Sequence, residues 1–218
     1  MIENYVDKTY IINLDERADR WKLIVEELKK VNIDNYERFS AIRPNQADIP
    51  KESYRNMRLA GADRDKYIVG TTGVRASHVA IVKKAKEAGY KQILMLEDDV
   101  EFHAEANTIF NSAMEQIKNV EWDMFFLGCF HKLPFELITT NVARIKKAYA
   151  IHAYIIKSNL FDAIIDNVIQ SGQEIDVYYA ESIHPNYKCY CARPHIAWQR
   201  AGFSDLLQGN RDYKVLRE

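Results

Sequence analysis

With 218 residues, 47% of them apolar and 28% charged, the chain is long enough to bury a sizeable core and too apolar for extensive disorder. Its formal net charge of -1, with acids and bases interspersed, argues against a nucleic-acid partner, which calls for a basic excess. No run reaches the roughly eighteen apolar residues of a membrane span, and MIENYVDKTY has no basic and apolar leader, so a cytoplasmic location is expected.

Lys8 to Leu14, KTYIINL, predicts a strand, and Asp15 stands where it can cap a helix with Trp21, Ile24, Val25, Leu28 and Val31 on one face. Arg17 lies one turn before Trp21 and is expected to point back toward the carboxyl end of the strand, with Arg20 beside it. Arginines there either meet a phosphate or pair with Asp15, Glu16 or Asp19. Tyr36 to Ile42 predicts a second strand. Residues 43–70, with Pro44, Pro50 and Gly61 and little sustained period, predict an irregular excursion near the ligand edge. Gly70 to Gly89 predicts a helix capped by Thr71 or Thr72, with Val74, His78, Ile81, Ala85 and Ala88 on one face and Gly89 ending it.

The stretch KQILMLEDDVEF, Lys91 to Phe102, organises the rest. A short apolar run that stops on Glu97, Asp98 and Asp99 predicts a strand covered on both faces, delivering three carboxylates to one sheet edge. In open α/β sheets that edge binds ligands, and clustered carboxylates call for a hard divalent cation or a set of donors. A solvated strand end is the plainer alternative.

Further on, a helix is predicted over 104–118, a buried strand over Glu121 to Gly128, two strand-like runs over Val142 to Ile156, and a helix capped by Ser158 and closed by Gly172. Glu174 to Ile183 suits helix or loop and offers Asp176 and Glu181, Tyr187 to Arg193 alternates as a strand, and residues 195–218 form a polar tail. The alternation of strands and helices predicts a single α/β domain over 1–218. Cys129, Cys189 and Cys191 cannot all pair with one another, which fits a reducing compartment. A zinc site from Cys189, Cys191, His184 and His195 would not have a usual ligand spacing.

Seven blocks in order, YIINLDERADRW, GTTGVRASHVAIVKKA, ILMLEDDVEF, WDMFFLG, AYAIHAYIIKSNLFDAII, IDVYYA and WQRAGFSD, resemble the signature blocks of glycosyltransferase family 25. That family includes bacterial lipooligosaccharide β-galactosyltransferases and collagen galactosyltransferases. The resemblance implies a GT-A type α/β sandwich with a mixed, mostly parallel sheet flanked by helices. It implies an inverting, metal-dependent transfer of a sugar, galactose from UDP-galactose first, to a hydroxyl of an acceptor glycan, with Mn2+ or Mg2+ as cofactor. The expected partners are the nucleotide-sugar donor and the glycan, with peripheral membrane contact where the acceptor is lipid-linked.

Carried over by position, Asp99 and Asp98 match the metal-holding acids, with Asp98 also a ribose contact. Asn13, Arg17, Ser77, His78, Glu97, Gln199, Ser204 and Asp205 fall on the donor side, with Ser77 and His78 either donor-facing or structural and the last three in a C-terminal segment, 195–218, that returns to the site. Asp176 matches an acidic position suited to the general base, with Glu181 and Asp205 as alternatives. The chain reads GTTGVRASH where bacterial relatives typically have GEIGCALSH, which leaves UDP-glucose or UDP-xylose as alternative donors. An inactive sugar-nucleotide-binding protein and, more remotely, a phosphate-receiving signalling domain are the rival readings.

Overall fold

The computed structural model describes residues 1–58 and 63–213. Gly61 of the predicted excursion and the end of the C-terminal segment, from 214 on, lie outside the described residues. In chain order the elements are β1 (Lys8–Asn13), α1 (Ala18–Lys30), β2 (Tyr36–Ser40), α2 (Arg64–Glu87), β3 (Gln92–Glu97), β4 (Val100–Phe102), α3 (Ala106–Gln116), β5 (Met124–Phe126), β6 (Phe130–His131), β7 (Glu136–Leu137), β8 (Val142–Arg144), β9 (Ala148–Tyr149) and β10 (Ala153–Lys157). They continue as α4 (Phe161–Ser171), α5 (Ile175–Tyr178), β11 (Cys189–Ala192), β12 (Ala197–Gln199), β13 (Gly202–Ser204) and β14 (Gly209–Arg211).

Eight strands form one sheet in the order β2-β1-β3-β10-β5-β11-β8-β7. β1 pairs in parallel with β2 and β3, and β5 with β11. β10 runs against both β3 and β5, and β8 against both β11 and β7, so six of the eight strands point one way. Successive residues of the central strands alternate between two apolar layers. On one face Ile24 and Leu28 of α1 and Phe110 and Met114 of α3 pack with Ile11, Leu94 and Ile155. On the other, Val82 and Ala85 of α2, Ile164 of α4 and Tyr178 of α5 pack with Tyr10, Met95 and Tyr154. Both faces of β1, β3 and β10 are covered, which is why these segments read as continuous apolar runs.

Several boundaries differ from those the sequence suggests. α2 begins at Arg64, six residues before Gly70, and its cap is Asp63, whose carboxylate accepts from Lys66 N at 3.1 Å. The first two turns of α2 carry Gly70 and charged residues, so propensity hides them; burial of Tyr67 and Ile68 holds them in place. Asp15 does not cap α1. Its carboxylate takes the Ser40 hydroxyl at 2.7 Å and faces Arg38, which leaves Arg17 at the cap position with no side-chain capping bond to the helix. Ser158 opens a 3-10 turn ahead of α4, and Gly172 closes that helix in the left-handed conformation at φ 67°. Glu174 to Ile183 is helical, α5 running on into a π-helical turn.

The tail contains strands: β12 pairs antiparallel with β4, and β13 with β14. Arg200 secures this return, donating its backbone N–H to Asp99 O at 2.6 Å and its guanidinium to Glu27 at 3.1 Å and Glu101 at 3.0 Å. Among the described residues no helix is long and apolar enough to cross a membrane.

Candidate active site

The acidic triplet sits at the end of β3 and in the turn to β4, on the carboxyl edge of the sheet. It lines a cavity of about 870 Å3 whose other walls come from α2, the start of α5 and the returning segment around Ser204 to Gln208. The three acids have different surroundings. Asp98 is buried and satisfied: its Oδ2 accepts from Asn13 Nδ2 at 2.7 Å and its Oδ1 from Arg20 Nη1 at 2.8 Å. Asp99 has Arg20 Nη1 3.7 Å from Oδ2, while its Oδ1 is buried with no protein partner. Glu97 accepts one long bond from Gln199 Nε2, at 3.4 Å.

Burial is the largest influence on both Glu97 and Asp99. It pushes the Glu97 carboxyl up to about 8, helped by the charges of Asp99, Asp98 and Asp176. Asp99 rises to about 6, with Arg20 working against the shift. An all-oxygen donor set with an orphaned, buried carboxylate oxygen and mutually repelling acids fits a hard divalent cation.

Asn13 lies behind the triplet. Its amide donates to Asp98 and to Arg17 O, and its Oδ1 accepts from Arg38 Nε at 2.9 Å. Arg17 is likewise outside the cavity wall, forked onto Asp19 at 2.8 Å and ion-paired with Asp205. Asp205 and Ser204 do line the cavity, as does Gln199. Ser77 and His78 line it from inside α2 with their polar atoms turned to protein: Ser77 Oγ accepts from Ile42 N and donates to Gly73 O, both at 2.8 Å. His78 Nδ1 meets the Tyr154 hydroxyl at 2.7 Å, and its Nε2 is buried without a partner. Burial drives the His78 pKa down to about 3, so the ring is neutral.

Asp176, in the first turn of α5, also lines the cavity. It accepts from Val177 N at 2.8 Å, and burial raises its pKa above the usual carboxylate value. Glu181 is outside the wall, held by Arg58 Nη2 at 2.9 Å and Gln173 Nε2 at 2.7 Å. Residues not chosen from the sequence also face the cavity. Arg20 balances Asp98, Arg43 and Lys66 are ion-paired with Glu16 and Asp63, and Tyr213, its pKa raised by burial and then by Asp99 and Glu97, closes one side. The sequence places Arg20 beside Arg17 at this edge but not its partner Asp98, whereas Lys66 and Tyr213 carry no local signal.

The family model for glycosyltransferase family 25 (LPS biosynthesis protein) matches residues 6–167. The chain belongs to glycosyltransferase family 25. It is a glycosyltransferase, and its α/β sandwich has a mixed, mostly parallel central sheet flanked by helices. None of the curated proteins compared matches it in sequence. Among solved structures, its fold is similar to that of the protein A197 from STIV, with TM-score 0.53 and 12% identity over 91% of this chain and 86% of that one. Weaker likenesses are to a glycosyltransferase involved in the glycosylation of the major capsid of PBCV-1, with TM-score 0.46 and 10% identity over 91% and 94% of the two chains. UDP-glucose pyrophosphorylase complexed with UDP-glucose gives TM-score 0.45 and 11% identity over 86% and 90%. In this family 25 chain the matched span runs from just before β1 into α4 and includes the acidic triplet, while Asp176, Gln199, Ser204 and Asp205 follow it.

Proposed function

We propose that this glycosyltransferase moves galactose from UDP-galactose to a hydroxyl of an acceptor glycan, with inversion and with a divalent cation, manganese or magnesium, as cofactor. The observation that carries the reading is the buried Asp99 Oδ1, unpartnered among three acids on the carboxyl edge of the sheet. Asp99 would hold the cation, with Asp98 behind it, and Arg20 and Asn13 fix the orientation of Asp98. The cation supplies Lewis-acid stabilisation of the charge that grows on the leaving diphosphate.

The remaining work falls to the protein. Arg20, Arg43 and Lys66 are the cations of an otherwise acidic wall; each is paired, with Asp98, Glu16 and Asp63, and Arg43 and Lys66 would exchange those exposed partners for the donor's phosphates. Glu97, Ser77, His78, Gln199, Ser204 and Asp205 are assigned to the donor side of the same wall, and Asn13 and Arg17 act there through Asp98 and Asp205.

Asp176 is the proposed base. It takes the acceptor hydroxyl's proton as that oxygen bonds to the anomeric carbon and the bond from that carbon to the diphosphate oxygen breaks, releasing UDP. What supports Asp176 over its alternatives is that Glu181 is engaged by Arg58 and Gln173 outside the cavity, and Asp205 by Arg17. A lipooligosaccharide acceptor agrees with the description of the family; a lipid-linked one would bring the enzyme to a membrane surface.

The test is UDP release from UDP-galactose, UDP-glucose and UDP-xylose in manganese, magnesium or chelator. Turnover of UDP-galactose alone, lost in chelator, is the expected result. Preference for another sugar overturns the donor assignment, and full activity in chelator overturns the cation. UDP binding without turnover, with any donor and a panel of glycan acceptors, favours the inactive binding protein.

A further inference from the structure

A second cluster lies apart from the acidic one. Cys129 follows β5, His131 ends β6, Cys191 lies in β11 and His195 precedes β12; each offers one ligand atom, and these four atoms lie within 4.8 Å of one another. None of the four lines the cavity of the acidic triplet. Three are buried and His131 is half-buried.

The spacing matches a particular ion. A tetrahedral zinc with bonds of about 2.3 Å to sulfur and about 2.0–2.1 Å to nitrogen separates two thiolates by about 3.8 Å and a thiolate from an imidazole nitrogen by about 3.5 Å. Here Cys129 Sγ is 3.6 Å from Cys191 Sγ and 3.5 Å from His131 Nε2. We propose that Cys129, His131, Cys191 and His195 form a structural zinc site. Two thiolates neutralise a divalent ion, which suits a buried setting, and loading releases the two thiol protons to solvent. Four protein ligands leave no open position, so the site is structural and not catalytic.

Arg193 Nη1 lies 3.3 Å from His195 Nε2. A metal bound through Nε2 would displace the guanidinium, which already sits over the Phe135 ring at 4.7 Å; one bound through Nδ1 would leave that contact in place. The ligands come from the end of the β5–β6 segment and from both sides of the β11–β12 connection. A bound ion would therefore pin the start of the returning chain, whose next strand brings Gln199 to Glu97. Two of the residues considered from the sequence, Cys191 and His195, belong to the cluster. The other two do not: His184 Nδ1 lies 3.3 Å from Ala148 N, and Cys189, buried in the same apolar layer two residues before Cys191, is not among the four.

The experiment is metal analysis of the full chain purified under reducing conditions, together with replacement of the ion by Co2+. We expect one zinc per chain that survives dialysis. The Co2+ form should show a thiolate-to-cobalt charge-transfer band and the intense visible bands of a tetrahedral site. Cys129→Ser and the less buried His131→Gln should each lower zinc affinity on the order of a hundredfold or more, while Asp99→Asn leaves zinc content unchanged. Zinc-free reduced protein that takes up none, a Co2+ spectrum without the thiolate band, or metal-free protein with a Cys129–Cys191 disulfide overturns the assignment. The spectrum of the unaltered protein decides the matter even if Cys129→Ser does not fold.

Discussion

Asp98 and Asp99 are adjacent, yet they do opposite things. Asp98 is held on both oxygens by Asn13 and Arg20, whereas Asp99 keeps one oxygen buried and unpartnered. Asp99→Asn should therefore abolish cation-supported UDP release with the circular dichroism spectrum unchanged; undiminished activity would remove Asp99 from the cation. Asn13→Asp has a different expected cost. It sets a carboxylate where an amide now donates to Asp98 at 2.7 Å, and the lost bond plus like-charge contact should lower stability by about 1–3 kcal/mol in denaturant titration. For Asp176→Asn, turnover should fall on the order of a hundredfold or more with donor affinity retained. A fall in donor affinity alone would send the base assignment elsewhere.

At the scale of elements, close approaches between backbones shape the cavity. A Cβ on Gly73 would overlap Ile42 O where the chain crosses α2, and a Cβ on Gly128 would overlap Ala197 O where β12 passes the end of β5. The first crossing is also tied by Ser77, which joins Ile42 N to α2. The second carries the chain that reaches Glu97 through Gln199. Gly128→Ala should force that chain outward, costing about 1–3 kcal/mol of stability as an overpacked contact does. It should also weaken UDP binding, measured by titration calorimetry; wild-type values for both would show that β12 does not depend on this approach.

For the whole molecule, the buried acids and histidines set opposing pH dependences. His78, held near 3, and His152, held near 4, are neutral in the fold, so unfolding gains protons below the ordinary histidine value of 6.5 and acid destabilises the protein. Glu97, raised from 4.5 to about 8, keeps a proton in the fold that the unfolded chain has lost. The native state then binds more protons than the unfolded one, and stability falls as pH rises. Between pH 6.5 and 8 the histidine effect is over and the glutamate effect remains. In chelator, the thermal midpoint should drop across this window, a loss on the order of 1 kcal/mol. Glu97→Gln should flatten it, and manganese should restore the midpoint at pH 8. A flat profile for the unaltered protein would contradict the burial of Glu97.

The parts whose burial is periodic or continuous along the chain are legible in the residues alone. β1, β3 with its terminal acids, the apolar face of α1 and the closure of α4 at Gly172 are all local patterns, and the ordered family blocks extend them to a fold and a reaction class. What depends on distant partners emerges only in the folded chain. The start of α2 rests on buried Tyr67 and Ile68, β12 exists because β4 is there to pair with it, and Arg20 reaches Asp98 across 78 positions. Cys129 meets Cys191 across 62 positions, because β5 and β11 lie side by side in register. Spacing along a chain reports which face a residue shares with its neighbours; it does not report which other segment that face meets.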